Sequence, residues 1–165
     1  MANYVEQVGA RELQWDLPRL FRNPLNIECA AAAGAKLSPT AVLPACYILG
    51  YNHGSNAYPF RWTFGSDTAM GWDLYITFGN PGFTPIGSIN IGNTSITPNW
   101  QFEAQVVAAP GVYAPLTGGF IAANSWIDLL PNYWYLLTTN QSLALVTSAV
   151  VANTKSHVWW SEYTA

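Results

Sequence analysis

The sequence predicts an all-β protein: a single antiparallel β-sandwich or jelly-roll barrel with an extended N-terminal arm. Three observations lead to this fold class. Apolar and polar residues alternate with a period of two in several segments, clusters of Gly, Pro and Asn separate these segments, and strand patterns do not alternate with helical ones. We expect the arm, with a possible short helix, over residues 1–40 and the barrel or sandwich domain over residues 41–165.

The alternation is clearest between residues 72 and 78. Trp72, Leu74 and Ile76 alternate there with Asp73 and other less apolar residues, as in a strand with one buried face. Residues 60–64 and 100–108 show the same period. Eight such strands would make a jelly roll. The candidate strands lie near residues 11–16, 45–51, 59–65, 71–79, 86–92, 99–108, 116–123, 132–139, 142–151 and 156–163.

The first part of the chain differs in composition from the rest. Pro18, Pro24 and Pro39 interrupt it, and proline favours extended backbone and cannot continue a helix interior. The alanine run within residues 28–36 favours a short helix, which Gly34 weakens. The sequence therefore predicts an extended arm with one possible helical turn.

Charge is almost absent from the second half of the chain. Between Leu74 and Thr154 the only charged residues are Glu103 and Asp128. The whole chain has 9% charged, 50% hydrophobic and 15% aromatic residues, whereas about a quarter of the residues of an ordinary domain are charged. Because interface cores lack charge and are rich in aromatics, this composition predicts a subunit that is covered by neighbours.

The same composition disfavours several other functions. The net charge is -3, and the six Lys and Arg residues are not clustered, so we expect no sequence-specific nucleic-acid binding. No secretory signal pattern is visible, and the longest apolar stretch, 143–152, has about half of the roughly 20 residues that a membrane span needs. These features predict a protein made in a cytoplasm.

We expect no catalytic residue, no metal site and no cofactor, and therefore no enzyme. The sequence has no nucleophile elbow, phosphate-binding loop or zinc-protease motif, and His53 and His157 are far apart. Cys29 and Cys46 lie among small apolar residues, which favours two buried thiols over a disulfide.

Two regions carry candidate residues for a subunit interface. In the arm, Phe21 is flanked by Arg19 and Arg22 in a segment bounded by prolines, which could lie across a neighbour or across its own barrel. Near the C-terminus, Trp159 and Trp160 are adjacent. Because adjacent residues of a strand point to opposite faces, both cannot enter one core.

A late strand gives two further candidates. The segment 142–151 is apolar on both faces, so both faces need a cover. We expect Val146 and Val150 on the second face, which the arm or another subunit would cover. A lysine at either position should then block assembly without unfolding the domain.

Taken together, the β-rich domain, the mixed-charge arm and the aromatic, charge-poor body resemble the small single-jelly-roll viral capsid proteins. These include the capsid proteins of tailless, membrane-containing icosahedral phages. The resemblance spans roughly residues 10–163. It implies a virion structural protein that associates with itself and with another virion protein, and it allows membrane contact beneath a capsid.

Two alternative functions remain open on the sequence alone. A carbohydrate-binding β-sandwich, as in a phage tail, a decoration protein or a lectin, would use exposed aromatics with the polar loops 51–57 and 79–83. A membrane-binding or pore-forming sandwich would use the aromatic cluster against lipid.

Overall fold

The protein is a two-sheet antiparallel β-structure. The computed structural model describes residues 27–32, 37–50, 55–78, 89–90, 98–106, 113–130, 136–138 and 140–164. Over these residues the chain forms strands and no helix, so the described part has no helix that could span a membrane. The strands are β1 (Ile27–Ala32), β2 (Ala45–Gly50), β3 (Ser55–Ser66), β4 (Met70–Phe78), β5 (Ile89–Asn90), β6 (Gln101–Val106), β7 (Tyr113–Ile121), β8 (Ser125–Asp128), β9 (Gln141–Thr147) and β10 (Thr154–Thr164).

The strands form two five-stranded sheets. Sheet A has the order β5-β1-β10-β3-β8, and sheet B has the order β6-β2-β9-β4-β7. Neighbouring strands are antiparallel throughout. Most neighbours in a sheet are distant in sequence, so each sheet is held by pairings that close only when the whole chain has folded.

The inner faces of the two sheets enclose an aromatic core. The Tyr47 ring of sheet B stacks on Phe102 with centroids 6.1 Å apart, and Trp62 of sheet A meets Phe102 edge-on at 5.8 Å. Complete burial of a large apolar side chain contributes roughly 1.5–3 kcal/mol. The period-two segments of the sequence thus supply one residue in two to this core.

A buried carboxylate connects the two sheets. Glu162 of β10 accepts hydrogen bonds from the backbone N–H groups of Asn99 and Trp100 at 3.0 and 2.8 Å, and from the Trp160 indole at 3.0 Å. Asn99 and Trp100 lead directly into β6 of sheet B. Hydrogen bonds satisfy this buried charge and fix the entry into β6.

The all-β prediction is confirmed, and the short helix predicted within residues 28–36 is wrong over its described part. Residues Ile27–Ala32 form β1 and pair in register with Glu162 to His157 of β10. Helix propensity is a weak preference that tertiary pairing overrides. The first strand of the sandwich thus lies within the segment 1–40.

Two strand predictions need correction, and β8, like β1, was not predicted. The described part of 132–139 has no strand, only a single bridge in which Leu137 exchanges backbone hydrogen bonds with Ala57. The strand predicted over 142–151 ends at Thr147, where the backbone turns at Ser148. β8 was missed because it has four residues and little apolar alternation. The strand predicted at 11–16 lies outside the described residues.

A candidate binding surface on the outer face of sheet A

Three strands of sheet A present side chains on the face opposite the core. Trp62, Phe64 and Val158 point inward and belong to the core. Their neighbours in sequence therefore point outward. The register places Thr63 between His157 of β10 and Asp128 of β8, so these side chains form a row across the sheet.

Five outward residues form a surface that we call the Trp126 face: Arg61, Trp126, Asp128, His157 and Trp159. Its largest exposed group is the Trp126 indole, and that residue is 53% exposed. The His157 ring lies 5.4 Å from the Trp126 ring and 6.1 Å from the Trp159 ring, centroid to centroid. The three rings thus line one depression of the sheet, in the order Trp126, His157 and Trp159.

The Trp126 ring rests on a glycine of the neighbouring strand. Gly65 lies opposite Trp126 in the β3–β8 pairing, and a Cβ atom added at Gly65 would fall 2.6 Å from two ring carbons. Any other residue at this position would displace the indole. The close approach fixes the ring on the sheet without burying it.

Arg61 and Asp128 place opposite charges beside the rings. The guanidinium carbon of Arg61 lies 5.0 Å from the Trp159 ring centroid, in cation–π contact. Its Nε lies 3.9 Å from Asp128 Oδ2, and both side chains are largely exposed. An exposed ion pair of this length contributes little to stability. The pair therefore sets the charge of this surface more than it stabilises the fold.

Two shallow depressions lie on either side of Trp126. One, of about 410 Å³, is bounded by the residues of the Trp126 face together with Thr63 and Ile127. The other, of about 250 Å³, is bounded by the polar side chains of Ser66, Asp67, Asn124, Ser125, Asn153 and Lys155. The indole is thus the ridge that both depressions share.

The polar depression is held by hydrogen bonds between two loops. Asp67 accepts a hydrogen bond from the backbone N–H of Asn153 at 2.8 Å and another from its side-chain amide. The Ser38 hydroxyl donates a hydrogen bond to the side-chain amide oxygen Oδ1 of Asn153 at 3.2 Å. Asn124 has a φ of 56°, a left-handed conformation that Asn tolerates in turns. Hydrogen bonds within the protein therefore hold these polar groups in place without a ligand.

The adjacent tryptophans separate as the sequence predicted. Trp160 is 0% exposed and belongs to the core, whereas Trp159 lies half-buried on the Trp126 face. The β10–β3 register shifts between them, which leaves Phe60 as an extra residue on β3. Such a bulge increases local twist and redirects side chains. Trp160 is therefore a core residue and not the surface contact that was predicted.

The other predicted interface residues do not meet on one surface. Arg19, Phe21 and Arg22 lie outside the described residues. Val146 is half-buried on the outer face of sheet B, on the side of the molecule away from Trp159. The prediction that Val150 shares its face is wrong, because Val150 follows the end of β9 and packs against the core.

The outer face of sheet B is buried at its centre within a single chain. Ile48 and Ala144, which pair across β2 and β9, are 1% and 0% exposed. Both faces of β9 are therefore covered over Leu143, Ala144 and Leu145, whereas Val146 is half-buried. Cys46 lies on the same face as a free thiol, and burial raises its pKa to about 11.

Sequence reasoning missed most of the Trp126 face. Of its residues, only Trp159 was predicted to lie at a surface contact. The others become neighbours through pairings between β3, β8 and β10, which short-range patterns do not reveal. Among the described residues, no cluster of three or more His, Cys, Asp or Glu side chains could hold a metal ion.

Comparison with known proteins returned no relatives: no family model, curated protein or solved structure matches this chain. The function must therefore be argued from the fold and the surface themselves.

Proposed function

We propose that the protein is a virion structural subunit built on a jelly roll. The observation that carries the proposal is the strand order. Leaving aside β5 and β6, the eight remaining strands, numbered along the chain, have the order 1-8-3-6 in sheet A and 2-7-4-5 in sheet B. This is the order that a jelly roll of two Greek keys produces. Jelly rolls are typical of viral capsid and lectin domains.

The two remaining strands extend the jelly roll. β5 and β6 lie in sequence between the fourth and fifth of the eight strands, and each pairs at the edge of a different sheet. β5 pairs with β1 and β6 pairs with β2, so the two added strands become outer strands of the two sheets.

The charge-poor surface supports repeated contact between copies. Phe120, on the outer face of the edge strand β7, is 89% exposed, and Val42 and Val151 are also strongly exposed. Single exposed apolar residues are common, but here charges that would oppose association are scarce. We propose contacts with other copies and with another virion protein, with no sequence-specific nucleic-acid binding.

Contact residues in this proposal are Arg19, Phe21 and Arg22 of the arm, together with Val146 and Phe120 on sheet B. The proposed location is the virion, after synthesis in a host cytoplasm, with membrane contact allowed beneath the shell. The proposed role is structural, with no catalytic step and no cofactor.

Negative-stain microscopy of the purified protein at increasing concentration tests the proposal. We expect regular oligomers, sheets or shells, because a lattice subunit has several modest interfaces that add up. Phe120→Lys should reduce assembly while circular dichroism remains unchanged, since the residue is exposed in one chain. Ala69→Lys, which adds the same charge in an exposed turn, should assemble normally. A wild-type protein that forms no regular assembly would contradict the proposal.

A further inference from the structure

The Trp126 indole is built as a rigid platform. One side of the ring rests on Gly65, where a Cβ atom would come within 2.6 Å of it, and His157 flanks it at 5.4 Å. The ring is nevertheless half exposed. An aromatic ring that is already packed on one side loses less side-chain freedom when a ligand stacks on it. The platform is therefore prepared to receive a flat apolar face.

The groups around the platform are polar and balanced in charge. On one side stand Arg61 and Asp128, and on the other stand Asp67 and Lys155. Positive and negative side chains are equal in number here, so the surface has no excess charge with which to attract an anion or a cation. It offers hydrogen-bond donors and acceptors on both sides of an aromatic ring.

A pyranose ring matches this arrangement. Its axial C–H groups form a flat apolar face that stacks on an indole, and its hydroxyl groups both donate and accept hydrogen bonds around its rim. We propose that the Trp126 face binds a neutral oligosaccharide, with one sugar ring stacked on Trp126. Adjoining sugars would occupy the two depressions and bond to Arg61 and Asp128 on one side and to Lys155 on the other.

Other ligands fit the surface less well. A protein partner that covered it would have to desolvate charged side chains on both sides of the indole, at a cost that only well-placed partners offset. A phosphate polymer would find no positive excess. A sugar leaves the rim wet and satisfies charged groups with hydroxyls. This site does not depend on the proposed function, since either could hold without the other.

The location differs from the one that the sequence suggested for a sugar site. Of the loops 51–57 and 79–83, the described residues are 55–57, and both Ser55 and Ala57 are buried. The outer face of sheet A instead supplies the exposed aromatic together with the charged and amide side chains.

Titration with neutral hexasaccharides of glucose, mannose, galactose and N-acetylglucosamine tests the site. Binding is followed by the indole N–H resonances of the full chain in nuclear magnetic resonance spectra. We expect saturable shifts of the Trp126 resonance with at least one of these sugars. Trp126→Ala should weaken that binding by about tenfold or more, because the stacking contribution is lost.

Two further variants distinguish the loss of stacking on Trp126 from a general loss of folded structure. Gly65→Ala keeps every polar group but displaces the indole, so it should weaken binding nearly as much as Trp126→Ala. Leu136→Ala removes another exposed apolar side chain, 54% exposed and lining neither depression, and should bind like the wild type. Each variant is first checked for the wild-type circular dichroism spectrum, and Asp128→Asn provides a second probe if Trp126→Ala does not fold.

Two results would overturn the proposal. One is the failure of every hexasaccharide to shift the Trp126 resonance at millimolar concentration. The other is a combination of two findings: the wild type binds no sugar, and replacing Trp126 abolishes assembly. Together they would make the Trp126 face a subunit contact. Failure of the wild type to assemble would leave the sugar titration unaffected and would count only against the structural role.

Discussion

The outer faces of the two sheets differ although both sheets pack on the same core. On sheet B the central pair Ile48 and Ala144 is buried within one chain, as is the Cys46 thiol. On sheet A the corresponding surface exposes Trp126, Asp128 and Arg61. The centre of the outer face of sheet B is therefore covered within the chain, whereas the outer face of sheet A meets solvent with an aromatic and charged surface.

This difference shows where the chain places the apolar residues that its composition supplies. A chain with so few charges can form a folded monomer only if apolar groups beyond the central core are also removed from water. Sheet B does this by burying the centre of its second face at β2 and β9, while Phe120 near its edge stays 89% exposed. The covered face should be sensitive to substitution and the exposed face tolerant of it, and each expected effect below tests that contrast.

The largest expected effect is that of Ala144→Lys on the covered face. The substitution buries an ammonium group at a position that is 0% exposed and whose cross-strand neighbours, Ile48 and Tyr75, carry no charge. We expect a loss of at least about 4 kcal/mol in the free energy of unfolding, measured by urea denaturation. Thr63→Lys, at the centre of the outer face of sheet A, should change stability by less than about 1 kcal/mol. Equal effects of the two lysines would remove the contrast between the faces.

The next largest effect should come from Glu162→Ala in the connection between the sheets. The substitution leaves the N–H groups of Asn99 and Trp100 and the Trp160 indole without their acceptor. We expect a loss of about 3 kcal/mol in unfolding free energy, since hydrogen bonds to a charged group contribute about 1.5–3 kcal/mol. Glu162→Gln retains one acceptor oxygen and should lose less. A stability equal to that of the wild type would show that the carboxylate does not connect the sheets.

A smaller effect concerns the pH dependence of stability through Cys46. Burial raises the pKa of its thiol from 9.0 to about 11, so the folded state holds the proton more tightly than the unfolded state. The contribution of the protonated thiol to the free energy of unfolding is complete below pH 9. It is lost as the pH rises from about 9 to about 11, on the order of 2 kcal/mol in all. Unfolding free energies of the wild type and Cys46→Ala should diverge in slope over this range. Parallel slopes would mean that the thiol is hydrated and the face is wet.

The smallest effects should come from the Trp126 face. Arg61→Ala breaks an exposed pair with a separation of 3.9 Å and should change the unfolding free energy by less than about 0.5 kcal/mol. Trp126→Ala should cost about 1 kcal/mol, since the half-exposed ring packs mainly on Gly65. Thermal melts measure both. A loss of several kcal/mol in unfolding free energy from either variant would show that these side chains stabilise the fold. It would then count against their serving a ligand.

The sequence predicts the strands that bury one face and fails where pairing partners decide the outcome. β3, β4 and β6 follow from the period-two alternation, whereas β2 and β10 match the candidate strands at 45–51 and 156–163, and β2 is buried at every position. β1 does not, because its alanines favour a helix and only the ladder with β10 makes the segment a strand. The four residues of β8 are too short for a period to emerge.

The same limit applies to the candidate site. Alternation alone separates Trp159 from Trp160. The position of Trp126 depends on Gly65, which lies far away in the chain and leaves room for the ring. A glycine in mid-strand is the one sequence signal that could have indicated such a close approach, but it does not identify the group that approaches.

The most direct test of the structural role is the molar mass in solution, measured by multi-angle light scattering across protein concentration and salt. We expect the mass to rise with concentration to a defined multiple of the 18.1 kDa chain. High salt should not dissolve these assemblies, because few charged pairs would hold them together. A single species at 18.1 kDa under all conditions would contradict the assignment as an assembling subunit.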